Sequence, residues 1–215
     1  MNFQNSALAT SADWWDNGYG YYDDDYYDDY YDDDDDDYYD NSYYNNGYYN
    51  SNSILNDGVT VSLVGYEDTT IDLRSGLYGS AINISAAYSY AFNALYGNYA
   101  PNIIMAGVGP TYLWGGDDYA NDILVGGLNS DLFYYGKREG FDVIQNASAV
   151  DTVNLYDSNL SDIISVGYDG LSLYMQFSTG NVLSVACTDY VSPTFTLSNG
   201  ARYAFNRVSC MWQNA

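Results

Sequence analysis

Histidine is absent from this 215-residue chain, and lysine and arginine together number only five. Without an imidazole, Ser-His-Asp triads, histidine acid–base catalysis and His-ligated zinc are excluded. Five basic residues against 29 acidic ones leave a formal charge of −24, which repels phosphate backbones and excludes nucleic-acid binding. The only cysteines, Cys187 and Cys210, are too few for a disulfide framework, and their spacing suits one bridge or two reduced thiols equally. No apolar run reaches the roughly 18 residues of a membrane-spanning helix. The opening Met1-Asn2-Phe3-Gln4-Asn5-Ser6 has neither a basic segment nor an apolar core behind it, and predicts no cleavable signal peptide. Three prolines against 20 glycines leave most turns to glycine.

Apolar residues make up 47% of the chain, enough for one core at this length. Composition changes sharply near residue 53. Residues 13–49 hold 14 Asp and 13 Tyr with no Lys or Arg, as in Tyr21-Tyr22-Asp23-Asp24-Asp25-Tyr26-Tyr27. Dense like charge without aliphatic side chains does not repay the entropy of ordering, so residues 1–53 are expected to be a disordered, low-complexity acidic tail. Its carboxylates would gather divalent cations, and its paired rings would offer contact area.

From residue 54 onward the sequence reads as short β segments separated by Gly, Asn and Asp, such as Val59-Thr60-Val61-Ser62-Leu63-Val64. No stretch carries a helical apolar stripe, and Ala86 to Leu95 is the one ambiguous window. A repeat organises the centre. The triplets ending at Ile104, Leu113, Leu124, Phe133, Ile144, Val153 and Ile164 recur with a shorter and a longer gap in strict alternation. The two gaps together make a 20-residue period of two unequal half-turns. Continuing the alternation reaches Asn93, Ile84, Leu73 and Val64 upstream and Leu173 downstream, all apolar except Asn93. Such a period predicts a flattened solenoid in which coils stack through parallel ladders and the recurring residue points inward. Val64 to Leu173 would make about 5.5 coils, roughly 26 Å at the usual interstrand spacing.

The first member of the triplet is Asp in five consecutive half-turns: Asp122, Asp131, Asp142, Asp151 and Asp162. A carboxylate that opens each strand after a Gly-rich turn reaches the next coil, where backbone carbonyls would complete an oxygen cage for Ca²⁺. Stacked carboxylates would otherwise repel, so folding is expected to depend on the cation.

Gly126-Gly127-Leu128-Asn129-Ser130-Asp131-Leu132-Phe133-Tyr134 resembles the Gly-Gly-x-Gly-x-Asp-x-U-x nonapeptide of the RTX (hemolysin-type) calcium-binding proteins, with Asn129 in place of a glycine. Gly115-Gly116-Asp117-Asp118-Tyr119-Ala120-Asn121-Asp122 looks like the same motif with a two-residue insertion, and Ala106 to Trp114 keeps glycines but has Thr111 in place of Asp. The resemblance covers residues 97–165. It implies a right-handed parallel β-roll or β-solenoid, an extracellular destination and secretion without a cleavable N-terminal signal. It also implies one to three Ca²⁺ ions near Asp117, Asp118, Asp122, Asp131 and Asp142, with Asn129 in the same turns.

Beyond residue 170 the grammar turns to hairpins: Leu171 to Phe177 against Val182 to Ala186, and Thr194 to Leu197 against Arg202 to Phe205 across Asn199-Gly200. The expected organisation is therefore all-β: a tail over 1–53, a solenoid over 54–170 and an antiparallel hairpin cap over 171–215. The functional expectation is a non-enzymatic extracellular calcium-binding structural or adhesive protein of a surface layer, matrix or fibre. It would associate with itself or with cell-surface components. Two alternatives are a C-terminal secretion and calcium-folding module of an RTX toxin or exoenzyme, and a polysaccharide-active enzyme built on the solenoid. The scattered basic residues Arg74, Lys137, Arg138, Arg202 and Arg207 argue against the enzyme, because they form no clamp for an anionic sugar.

Overall fold

Short runs in which every second side chain is apolar make strands that can bury one face, and the chain after residue 52 is built from them. A computed structural model describes residues 52–189 and 191–215. The expectation for the Asp/Tyr-rich segment falls on residues outside this range, apart from its last two. Seventeen strands follow in order: β1 (Ser53–Asn56), β2 (Thr60–Gly65), β3 (Thr69–Asp72), β4 (Asn83–Ser89), β5 (Asn93–Tyr96), β6 (Ile103–Met105), β7 (Thr111–Trp114), β8 (Ile123–Val125) and β9 (Leu132–Tyr135). After them come β10 (Phe141–Ala147), β11 (Thr152–Leu155), β12 (Ile163–Tyr168), β13 (Ser172–Phe177), β14 (Val182–Cys187), β15 (Thr194–Leu197), β16 (Arg202–Asn206) and β17 (Met211–Asn214). The described residues contain no α-helix, and the ambiguous window over 86–95 is the end of β4, a bend and the start of β5.

From β2 to β11, even- and odd-numbered strands separate into two sheets. One sheet has the full order β1-β2-β4-β6-β8-β10-β14-β13-β12, the other β17-β16-β15-β11-β9-β7-β5-β3. The runs β2-β4-β6-β8-β10-β14 and β3-β5-β7-β9-β11-β15 are parallel throughout, so the chain crosses from sheet to sheet once per half-coil. This is a β-solenoid of about five turns. Ile103 pairs with Ile123 and Ile123 with Val143, each one repeat further along, and Tyr112, Leu132 and Thr152 keep the same step on the other sheet.

Two buried columns fill the space between the sheets. Val61, Ile84, Ile104, Leu124, Ile144 and Val185 stack on one side, and Ile71, Leu95, Leu113, Phe133, Val153 and Phe195 on the other. Within the repeat the expected inward residues are correct from Ile104 to Val153. Outside it the alternation slips, because the first coils do not keep the length of the repeat. Thr69 pairs with Asn93 across a coil longer than the repeat, and Asn93 pairs with Thr111 across a shorter one. Leu95 therefore takes the inward place expected for Asn93, Val61 that expected for Val64, and Ile71 that expected for Leu73. Val64 is exposed, while Leu73 is buried in a short 3₁₀ turn.

The last coil departs from the period. Phe141 pairs with Val182 and Thr152 with Thr194, each step slightly longer than two repeats. The surplus chain forms the hairpin β12–β13, antiparallel to β14, and Ile164 is exposed on it instead of facing the core. The Asn199-Gly200 turn joins β15 to β16 as expected, with Gly200 at φ 81°, and β17 adds one strand more. The final solenoid rung, β14 with β15, thus lies inside the region expected to be only a cap.

Arg207 ties these end hairpins together. It donates to the carbonyls of Cys187, Asp189 and Gly170 and to the Tyr168 hydroxyl, and its guanidinium lies 5.2 Å from the Tyr168 ring centroid. Lysine cannot reproduce that fork, so Arg207→Lys is expected to cost about 2 kcal/mol in a denaturant titration. Both thiols are free. No described helix is long and apolar enough to cross a membrane.

Candidate functional site

The residue that opens each strand sits at a corner of the solenoid, and the corners carry the periodic carboxylates. At one corner Asn102, Asp122 and Asp142 follow one another by single coils and are all buried. Asp122 Oδ1 accepts the backbone N–H of Asn102 at 2.8 Å, and Asp142 Oδ1 accepts that of Asp122 at 2.9 Å. At the opposite corner Asp131 Oδ1 accepts the N–H of Thr111 at 2.9 Å, and Asp151 Oδ1 that of Asp131 at 2.8 Å. Each aspartate reaches back one coil and satisfies a buried donor that would otherwise lack a partner. The period in Asp is therefore first a hydrogen-bond ladder. Asn93 and Thr111 belong to the second corner, where both are buried and polar.

The second carboxylate oxygens separate the corners. Asp131 Oδ2 accepts from the Gly127 N–H at 2.6 Å, and Asp151 Oδ2 from the Ser148 N–H at 2.7 Å and hydroxyl at 3.0 Å. Both aspartates thus use each oxygen on the protein's own donors. Asn129, in the same turn as Asp131, donates to the Val108 carbonyl. At the first corner Asp122 Oδ2 and Asp118 Oδ2 are buried with no partner at all. The backbone crowds around them. A Cβ on Gly115 would stand 2.1 Å from Asp122 Oδ2, and one on Gly116 would stand 3.0 Å from Asp118 Oδ2 and 2.8 Å from the Asn98 carbonyl. Asp117, beside them in the sequence, is exposed.

Burial governs the electrostatics. It pushes Asp122 up to about 6 against the opposing Asn102 N–H, with the charge of Asp118 adding to the rise. Asp131 is pushed to about 7, again chiefly by burial. Asp142 reaches about 8, because the charges of Asp122, Glu139 and Asp118 add to its burial. Two orphaned carboxylate oxygens beside a backbone carbonyl are a hard, all-oxygen donor set, which suits Ca²⁺. Asp118 and Asp122 would hold such an ion, with Asp142 next in the column. No group of three or more His, Cys, Asp or Glu side chains among the described residues is arranged around one centre, so carbonyls would have to supply the rest.

Glu139 was not foreseen. It is buried, accepts from Trp114 Nε1 and from the Gly136 N–H, each at 2.8 Å, and from the Tyr156 hydroxyl. Burial lifts it to about 7 against those three donors. In sequence it stands in Lys137-Arg138-Glu139-Gly140, which reads as a solvated charged turn, and no local signal marks it.

The class defined by this architecture is a two-sheet parallel β-solenoid with aspartate-laddered corners. The sequence matches no protein-family model and no curated protein.

Proposed function

We propose that this protein is a non-catalytic, calcium-responsive structural or adhesive component that works outside the cell. One observation carries the reading: Asp118 Oδ2 and Asp122 Oδ2 are buried without partners in a chain of charge −24. A bare buried carboxylate is costly, and a divalent cation removes the cost by replacing lost hydration with ionic bonds. The ladder supports the non-catalytic part, since Asp122, Asp131, Asp142 and Asp151 each spend one oxygen on a backbone donor of the preceding coil and are divided between opposite corners. A stiff stacked body joined to a Tyr/Asp-rich segment suits a matrix or surface-layer component.

Calcium is expected to raise the melting midpoint of the chelated protein by several degrees, and Mg²⁺ to do so far less. Saturation a hundredfold above Kd stabilises by about 2.7 kcal/mol. Asp118→Asn separates this site from loose cation binding elsewhere. Without calcium it should be at least as stable as the parent, because one of two facing charges is gone, and with calcium it should gain little. Equal midpoints for the parent with EGTA and with Ca²⁺ would remove the cation from the account. Calcium-dependent sedimentation of the full chain would test the assembly role.

A further inference from the structure

Two pairs of strands run past the last solenoid rung, β12–β13 from one sheet and β16–β17 from the other. They face each other across a half-open cavity of about 240 Å³. Ile163, Val166 and Met175 form one wall, and Phe195, Leu197 and Trp212 the other. Leu155 lies at the floor, and among the lining side chains only Tyr203 bears a polar atom besides the Trp212 indole. The chain leaves its period only at its two ends, and the inserted hairpin here supplies one complete wall. An ordinary rung would close this space with the next apolar column, as Phe133 and Val153 do further in.

We infer that this cavity is a binding site for one uncharged apolar group, an aliphatic chain or a single aromatic ring. A cavity of this kind stays dry and takes apolar guests, because water finds few hydrogen-bond partners in it. No Lys, Arg, Asp or Glu lines it, so a charged end would lose its hydration without compensation. Its volume suits one ring or a short chain and is below that of sites for drug-sized ligands. Without cations a second copy of the chain is a poor occupant, since two chains each carrying −24 repel one another.

The test is a titration of the full chain with the neutral one-ring fluorophore 4-(dimethylamino)benzonitrile, whose emission is weak in water. The expected result is a saturable rise in emission at one probe per chain. 1-Octanol should displace the probe, and octanoate, with the same chain length and a charge, should compete at least tenfold more weakly. Val166→Trp fills the cavity from a partly exposed position on the edge strand β12 and should weaken the probe at least tenfold with an unchanged melting curve. Should that variant misfold, Leu160→Trp at the exposed rim serves the same purpose. Flotation with neutral phosphatidylcholine vesicles distinguishes a membrane acyl chain from a free small molecule. Emission that never saturates, a folded Val166→Trp chain that binds like the parent, or loss of the probe as the protein dimerises would each overturn the assignment.

Discussion

A Gly127→Ala chain should melt far below the parent. The added Cβ would stand 1.9 Å from the Gly107 carbonyl oxygen, a backbone atom of the coil below, and 3.5 Å from the Ala106 Cβ. A flexible side chain could swing aside, but a carbonyl held in a stacked coil moves only if the coil moves. Overpacking a tight interior costs about 1–3 kcal/mol, and a clash with backbone belongs at or above the top of that range. The same shift would stretch the bond from the Gly127 N–H to Asp131 Oδ2, weakening the ladder. Gly167→Ala is the control. It lies in β12 with nothing within 4 Å of the added carbon and without a left-handed φ, so it should be neutral or stabilising by up to about 1 kcal/mol. Parallel denaturant titrations of the two variants decide the matter, and similar midpoints would mean the coils are not packed as closely as described.

In the presence of a chelator, stability should fall as the pH rises from about 5 to about 8, the reverse of what paired carboxylates usually produce. Asp131, Glu139 and Asp142 have folded values near 7, 7 and 8, all above the ordinary carboxylate values. Between those limits the native state holds protons that the unfolded chain has released. Their stabilising contribution is complete below about pH 4 and disappears as the pH passes the folded values, at up to about 1.4 kcal/mol per pH unit for each group. Asp72 works the other way. Its hydrogen bond from Arg74 holds it below the usual range, so its contribution is present at neutral pH and lost on acidification. Asp162, held down mainly by the Asn159 N–H, does likewise. The melting midpoint should therefore peak at mildly acidic pH.

Substitution at Asp142 dissects that slope. Asp142→Asn keeps an Oδ1 acceptor for the Asp122 N–H and deletes the charge, so it should flatten the pH profile and leave the midpoint near pH 8 unchanged or higher. Asp142→Ala strands that N–H in a buried corner and should cost about 1–3 kcal/mol at every pH. A profile that rises towards pH 8 in the chelated parent would show that these carboxylates are ionised in the fold at no cost.

The period was legible because in-register stacking places an apolar side chain at the same point of every coil, which leaves a direct trace in the sequence. The all-β class and the hairpin across Asn199-Gly200 could also be read without coordinates, the first from short apolar alternation and the second from local turn chemistry. The phase of the first coils could not. Only the pairing of Thr69 with Asn93 and of Asn93 with Thr111 shows that one coil is longer and the next shorter than the repeat. The inserted hairpin β12–β13 was hidden as well, since Ile164 and Leu173 keep the rhythm of the repeat although neither belongs to a parallel rung.

Residue types and their spacing determined where the aspartates recur. Tertiary structure decided what each one does, because that depends on which donors surround the second oxygen. At Asp131 and Asp151 the turn folds backbone N–H groups onto it, while at Asp118 and Asp122 the glycine backbone crowds close without donating. Glu139 and the apolar cavity at the end of the solenoid were likewise products of contact between distant segments. A periodic sequence records what every coil shares, and what sets one corner or one end apart is written in contacts that only folding creates.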